Sequence, residues 1–282
     1  MTQPAGTLFV VATPIGHRED ISARALNTLK EVDLIAAEDT RNSKAFLAHF
    51  GIRTPMTALH EHNERSATTH VLEKLKSGAS VGLVTDAGTP GISDPGAFLV
   101  DAALAAGLRV VPVPGPSAVT ALLSVAGFAP GPVLFYGFLP AKGGPREGIL
   151  ERLRPLQATL VFYEAPHRIE ACMSALARAL GGERRVVIGR ELTKLFETVH
   201  RTTLDGALEW LSSDPNHRRG EFVLAVEGAR EDESADASST DRLLLALLEK
   251  LSLGDAVRVA VEATGLGRNA LYERALQLSG RG

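Results

Sequence analysis

A two-domain α/β fold is predicted for this chain, with a parallel sheet in the first domain, a mixed sheet in the second and a small helical C-terminal appendage. Three observations predict it. Apolar, β-rich runs alternate with helical periods five times before residue 128, and such alternation builds a largely parallel sheet with helices on both faces. Later, FETVHRTT follows RRVVIGRE with too little chain between them for a crossover, so these two pair antiparallel and make the second sheet mixed. Beyond residue 241 only helical periods remain.

Taken in order, LFVVA leads into ISARALNTLKEV, DLIAAE into SKAFLAHFG, MTALH into TTHVLEKLKSG, VGLVTD into GAFLVDAALAAG, and RVVPVP into SAVTALLSVAG. The strands read as unbroken apolar runs, as strands covered on both faces do. APGP at 129–132 interrupts the pattern and closes a first domain over 1–128. The second domain, 129–229, carries PVLFYGFL, TLVFYEA, RRVVIGRE, FETVHRTT and GEFVLAVEG. REDESADASST reads as an exposed acidic linker over 230–240, and 241–282 as three short helices.

The chain has 282 residues, 45% apolar and 22% charged, with a formal net charge of −3. That charge gives no general attraction to nucleic acid, so an RNA substrate requires a local basic patch. MTQPAGTLFVVATPIG lacks the basic start of a secretion leader. The longest uncharged stretch, Val110 to Ala141, holds six prolines, which argues against a membrane span. The lone cysteine, Cys172, suits a reducing cytoplasm and reads as a buried packing residue.

In an open parallel sheet, ligands bind beyond the carboxyl ends of the strands. Each of the first five strands ends in an unusual segment: TPIGHRED, EDTR, HEHNE, DAGTPGISDPG and PGPSA. Any single Gly/Pro turn is most simply structural, but five at one sheet edge should line one crevice. No G-x-x-x-x-G-K-[ST] is present, and GLGRNA at 265–270 lies between helices, so neither phosphate cradle is available. Tight loops with acids and without a phosphate grip suit a phosphate-free ligand that carries a cation, and S-adenosylmethionine fits that description.

TPIG, EDTR, HEHNE, DAGTPGISDPG, PGPSA, GFLPAK, FYEAPHR and RELTK, in this order, resemble the bacterial small-subunit rRNA cytidine 2′-O-methyltransferases of the tetrapyrrole methylase superfamily. One departure is His17, where the family usually has Asn. The resemblance implies a cytoplasmic homodimer that binds S-adenosylmethionine between its domains. It also implies 2′-O-methylation of a decoding-centre cytidine in 16S rRNA, within the small ribosomal subunit, without a metal, a membrane or DNA.

Methyl transfer from a sulfonium requires donor carbon and acceptor oxygen to be held in line, and a ribose hydroxyl must give up its proton. Gly88, Thr89 and Ile92 resemble donor contacts; Gly16 would let the first loop approach the donor. Ser117 can cap the following helix while its backbone and that of Ala118 face the ligand. Tyr163 would meet the adenosine from the second domain, since Phe162 points the other way. Asp86 could face the donor, position Arg41 or accept the proton, whereas Asp94 reads as a cap of the next helix. Glu38, Asp39 and Arg41 are candidates to handle the target ribose or its phosphate, although an internal ion pair explains them equally. His60 and Asn63 are candidate substrate contacts, and the pair His60 and His62 lacks the further ligands of a metal site. Lys142, Arg146, Arg168, Arg190 and Lys194 are the candidate RNA cations, each with solvation as its plain alternative. Three other functions compete: methylation of a tetrapyrrole or other small acceptor, a non-enzymatic rRNA-binding assembly factor, and a metal-dependent hydrolase.

Overall fold

The computed structural model describes residues 6–230 and 237–279. The first sheet contains β1 (Thr7–Val11), β2 (Leu34–Ala37), β3 (Met56–Ala58), β4 (Val81–Val84) and β5 (Arg109–Val113), in the order β3-β2-β4-β1-β5. Every neighbouring pair is parallel, so all five carboxyl ends lie at one edge, as the sequence reading expects.

The helices between these strands divide by face. Ala25 and Leu29 of α1 (Ala23–Glu31) and Leu47 of α2 (Thr40–His49) pack with Val11, Ile35 and Val84. Val71 and Leu75 of α3 (Glu64–Lys76) and Leu99 and Ala103 of α4 (Ala97–Ala105) pack with Leu8, Ala36 and Leu83 on the opposite face. The connections leaving β2 and β4 therefore diverge to opposite faces, which opens a crevice between those two strand ends. Local signals start the helices: Ser22 accepts from Ala25 N, and Asp39 caps α2 through Arg41 N.

The second sheet has the order β6-β7-β10-β8-β9, built from β6 (Val133–Phe138), β7 (Thr159–Glu164), β8 (Arg185–Arg190), β9 (Thr198–Thr203) and β10 (Phe222–Val226). Only β6 and β7 are parallel, and β8 pairs with β9 antiparallel in full register. Helices α6 (Gly143–Leu153), α7 (Ile169–Leu180) and α8 (Leu204–Ser213) cover one face around the fully buried Phe162. Truncating such a phenylalanine to alanine costs about 3–5 kcal/mol. The other face receives α5 (Ala118–Ala126), whose Leu122 and Ala126 pack on Val161, Val187, Val223 and Ala225. Thus α5, which precedes the APGP junction in sequence, is attached to the second sheet.

Three helices end the chain: α9 (Ala237–Leu248), α10 (Leu253–Thr264) and α11 (Arg268–Leu278), around Leu244, Val257, Ala260, Leu271 and Ala275. Helix α9 begins inside the expected linker 230–240, and residues 231–236 of that span lie outside the described residues. Among the described residues no helix is long and apolar enough to cross a membrane.

Candidate functional site

The carboxyl ends of β1 and β4 are joined by a short antiparallel bridge. Thr13 N donates to Gly88 O at 2.8 Å, and Gly88 N donates to Thr13 O at 3.1 Å. Gly88 adopts φ +81° to reach that position, which an L side chain disfavours. Beside the bridge, in the crevice between β2 and β4, Glu38 Oε2 accepts from Thr85 Oγ1 at 2.6 Å and from Asp86 N at 3.3 Å. The Asp86 carboxylate is held by Asp39 N at 3.2 Å and by Asn42 Nδ2 at 3.0 Å, while the residue remains exposed. Arg41 is not positioned by Asp86. Its guanidinium lies 2.9 Å from Asp39 Oδ2, and hydrogen bonds from Arg41 hold Asp39 down to about 2.

Two cavities open here, each of ≈ 330 Å³, and Ile15, Ala87, Lys194 and Glu221 line both. The first lies between the domains. Thr89, Ile92, Ser117 and Ala118 line it from one side and Phe138, Tyr163, Leu192 and Val223 from the other. Tyr163 is half-buried, and burial followed by the charge of Asp94 raises its pKa. Ser117 lines the same cavity and makes no side-chain cap bond to α5 although it occupies the N-cap position. The second cavity lies over the crevice and takes Arg18, Asn42, Phe46 and Asp86 into its wall.

Asp94 corrects the sequence reading. Gly96, not Asp94, precedes α4, and the helix start is capped from a distance by Glu64, whose Oε1 accepts from Gly96 N at 2.8 Å and Phe98 N at 3.3 Å. Asp94 instead lines the interdomain cleft, where burial, then the charges of Glu38 and Asp86, push its carboxyl up to about 7. No local signal could have revealed this, because D-P-G before an apolar helix has the form of a cap.

The RELTK loop closes the site from the second domain. Glu191 and Thr193 have φ of +51° and +64°, and Ser93 across the cleft has +65°. Non-glycine residues hold such conformations only where their surroundings enforce them. Thr193 Oγ1 accepts from His17 N at 3.0 Å, and a Cβ on Gly16 would lie 2.5 Å from Lys194 Cγ and 2.6 Å from Thr193 Oγ1. Gly16 thus admits the partner domain's loop. Lys194 Nζ sits 3.0 Å from Glu191 and 2.8 Å from Glu221. Burial opposes its charge, but those two hydrogen bonds prevail and raise its pKa.

Several expected RNA contacts sit elsewhere. Arg146 is buried, and Arg168 pairs with the fully buried Glu164 carboxylate at 3.0 Å and donates to Leu139 O. Both therefore build the second domain's interior. Arg190 Nη1 donates to Arg219 O at 3.3 Å, and Lys142 is exposed at the start of α6; neither lines either of these two cavities. Asn63 locks its own turn by accepting from His60 N at 2.8 Å and donating to Ala58 O at 3.1 Å. Among the described residues no three His, Cys, Asp or Glu side chains converge on a metal position.

The sequence pattern of the Tetrapyrrole (Corrin/Porphyrin) Methylases matches residues 7–208, and that of the RsmI C-terminal HTH domain matches residues 233–279. Ribosomal RNA small subunit methyltransferase I of Pseudomonas aeruginosa is 49% identical over 279 residues, covering 98% of this chain and 99% of that protein. The protein of the same name from Escherichia coli O157:H7 is 44% identical over 275 residues, 98% of this chain and 96% of that one. Among solved structures, the methyltransferase CobJ superposes with a TM-score of 0.59 at 20% identity, covering 80% of this chain and 95% of that one. Uroporphyrin-III C-methyl transferase from Thermus thermophilus, complexed with S-adenyl homocysteine, gives 0.55 at 20% identity, over 78% and 97% of the two chains.

Proposed function

This chain belongs to the Tetrapyrrole (Corrin/Porphyrin) Methylases, and from that premise we propose that it methylates small-subunit rRNA. In this reading it acts on the 2′-hydroxyl of a decoding-centre cytidine in 16S rRNA, with S-adenosylmethionine as donor. Near-full-length identity of 42–49% to ribosomal RNA small subunit methyltransferases I supports the substrate class. One observation carries the mechanism: two cavities share a wall, and the hydrogen-bonded Asp86 carboxylate stands in the second of them, close to that wall.

The interdomain cleft fits the donor. Ile92, Phe138 and Tyr163 offer apolar surface for a purine, and Asp94, Glu191 and Glu221 offer negative charge. Among the described residues Lys194 is the one basic residue lining it, and it is engaged by two of those acids. When bound there, the donor supplies an electrophilic methyl group on a sulfonium, whose positive charge an acidic wall favours. The backbone of the Gly88–Ile92 turn, fixed by the Thr13 bridge, would hold the donor in the cleft. Asp86 receives the hydroxyl of the acceptor ribose, and Asp39 N with Asn42 Nδ2 keep its carboxylate aimed. Glu38 fixes the strand ends from which Asp86 projects. No step in this scheme needs a metal. The proposal includes a cytoplasmic homodimer acting on the small ribosomal subunit.

The test is transfer of labelled methyl from S-adenosylmethionine to small subunits lacking native modification, with free 16S rRNA and a tetrapyrrole alongside. Label at one cytidine ribose of the subunit is the expected result. Label on the tetrapyrrole alone would replace the acceptor, and donor binding with no transfer would favour an assembly factor.

A further inference from the structure

We infer that the second cavity, beside the cleft, receives one nucleotide drawn out of the RNA stack, with Arg18 on its phosphate and Phe46 against its base. This rests on the reading of the cleft as the donor site. The substrate at the moment of transfer is then an unpaired, unstacked nucleotide rather than a duplex presenting its minor groove.

The cavity's walls come from both domains: the β1–α1 loop, the first turns of α2, the end of β4, and Lys194 with Glu221. A half-open cavity of ≈ 330 Å³ suits one nucleoside, and a double helix cannot enter it. A ribose 2′-hydroxyl is displayed in the minor groove, so it is the narrowness of the cavity around Asp86, and not burial of the target atom, that requires the nucleotide to leave the stack as flipped bases do. The chemistry of the walls is sorted accordingly. Asp86 and Asn42 stand together, and because Asp86 takes the Asn42 amide hydrogen at 3.0 Å, the Asn42 amide oxygen is left for a donor on the nucleotide. Phe46 is half-buried and braced edge-on by Phe50, ring centroids 5.3 Å apart at 71°, which gives a base an aromatic surface of the kind that splayed bases stack on. Two cations line the cavity. Lys194 is committed to Glu191 and Glu221, whereas Arg18 is exposed and makes no ion pair or hydrogen bond among the described residues. Arg18 is therefore the guanidinium available to a phosphate.

The test compares the parent protein with Arg18→Glu and Lys44→Glu, the latter an equal charge change on α2 outside the cavity. Steady-state transfer to small subunits lacking native methylation is measured beside S-adenosylhomocysteine affinity by calorimetry. Arg18→Glu should raise KM for the subunit about tenfold or more, the loss expected for one charged phosphate contact, with S-adenosylhomocysteine affinity unchanged and Lys44→Glu like the parent. In a second arm, p-benzoylphenylalanine replaces Phe46 and is photo-crosslinked to subunits; reverse transcription should stop at the methylated nucleotide. A KM for Arg18→Glu equal to that of Lys44→Glu overturns the inference, as does a crosslink that maps away from the methylated nucleotide. Loss of S-adenosylhomocysteine affinity in Arg18→Glu would assign the cavity to the donor and also overturn it. A parent protein that neither binds S-adenosylhomocysteine nor methylates subunits removes the donor reading, and the inference with it.

Discussion

Thr85 Oγ1 donates a 2.6 Å hydrogen bond to Glu38 Oε2, and so ties the carboxyl end of β4 to that of β2 where their connections diverge. Thr85 is buried and Glu38 half-buried, so this bond is partly shielded from water and holds the two strand ends at fixed spacing. The same carboxylate oxygen receives Asp86 N at 3.3 Å. Asp86 therefore leaves the sheet in a set direction, and its exposed carboxylate is oriented by neighbours rather than by burial.

Asp86→Ala should separate chemistry from folding. Its carboxylate accepts two hydrogen bonds at an exposed position, and its removal leaves no buried group without a partner. A positioned general base contributes about 10²–10⁴ in rate, so kcat on small subunits should fall by that order while the melting temperature stays within a few degrees. Steady-state kinetics and a thermal melt check it. An equal collapse of stability would make Asp86 a structural residue.

Gly16→Ala should loosen the contact between the domains. The added Cβ would meet Lys194 Cγ at 2.5 Å, Thr193 Oγ1 at 2.6 Å and Leu192 O at 3.0 Å. The lysine stem can turn aside, but the Leu192 carbonyl belongs to a loop strained at Glu191 and Thr193. Overpacking of this kind costs about 1–3 kcal/mol. Affinity for S-adenosylhomocysteine should weaken along with the melting temperature, because the displaced loop lines the donor cleft. Unchanged affinity in calorimetry would show that the loop moves freely.

Glu64→Ala should destabilise α4 from across the sheet face. Gly96 N and Phe98 N both donate to Glu64 Oε1, and no side chain at the helix start replaces it. Loss of a cap costs about 1 kcal/mol, and Glu64→Gln, which keeps an acceptor oxygen, should lose less. Urea unfolding of the two variants distinguishes them; equal losses would mean that charge, not capping, is what Glu64 contributes.

What the sequence made legible and what it hid differ in range. The five parallel strands, their common loop edge and the antiparallel pairing of β8 with β9 follow from periodicity and loop length, which are local. Asp86 and Tyr163 could be singled out because each lies at or near a strand end, and Thr89 and Ile92 because the turn after β4 resembles the donor turn of the family. Hidden features depend on contacts far apart in the chain. Glu64 caps a helix 32 residues away, which left Asp94 with the outward form of a cap. Arg146 and Arg168 carry the residue type of an RNA contact, yet their partners Leu139 and Glu164 draw Arg168 inward and burial removes Arg146 from the surface. Helix α5 reads as part of the first domain by order, but its apolar side matches the second sheet.

Asp94 gives the site a pH dependence whose sign is fixed by its surroundings. Burial, followed by the charges of Glu38 and Asp86, lifts its pKa from an ordinary carboxylate value to about 7. A carboxyl raised on folding favours the native state while protonated; its contribution is complete below the unfolded value and is lost as pH rises through the folded one. Stability should therefore decline between about pH 4 and pH 7 in the parent and decline less in Asp94→Asn. A cation in the cleft acts in the opposite direction, since it favours the charged carboxylate and lowers its pKa. Binding of S-adenosylmethionine should then release a proton below pH 7 and tighten as pH rises to that value, flattening above it. Calorimetry at pH 6 and pH 8, in two buffers of different ionisation enthalpy, measures both the affinity and the proton. Affinity that does not change with pH in the parent, or that changes equally in Asp94→Asn, would remove Asp94 from the donor's environment.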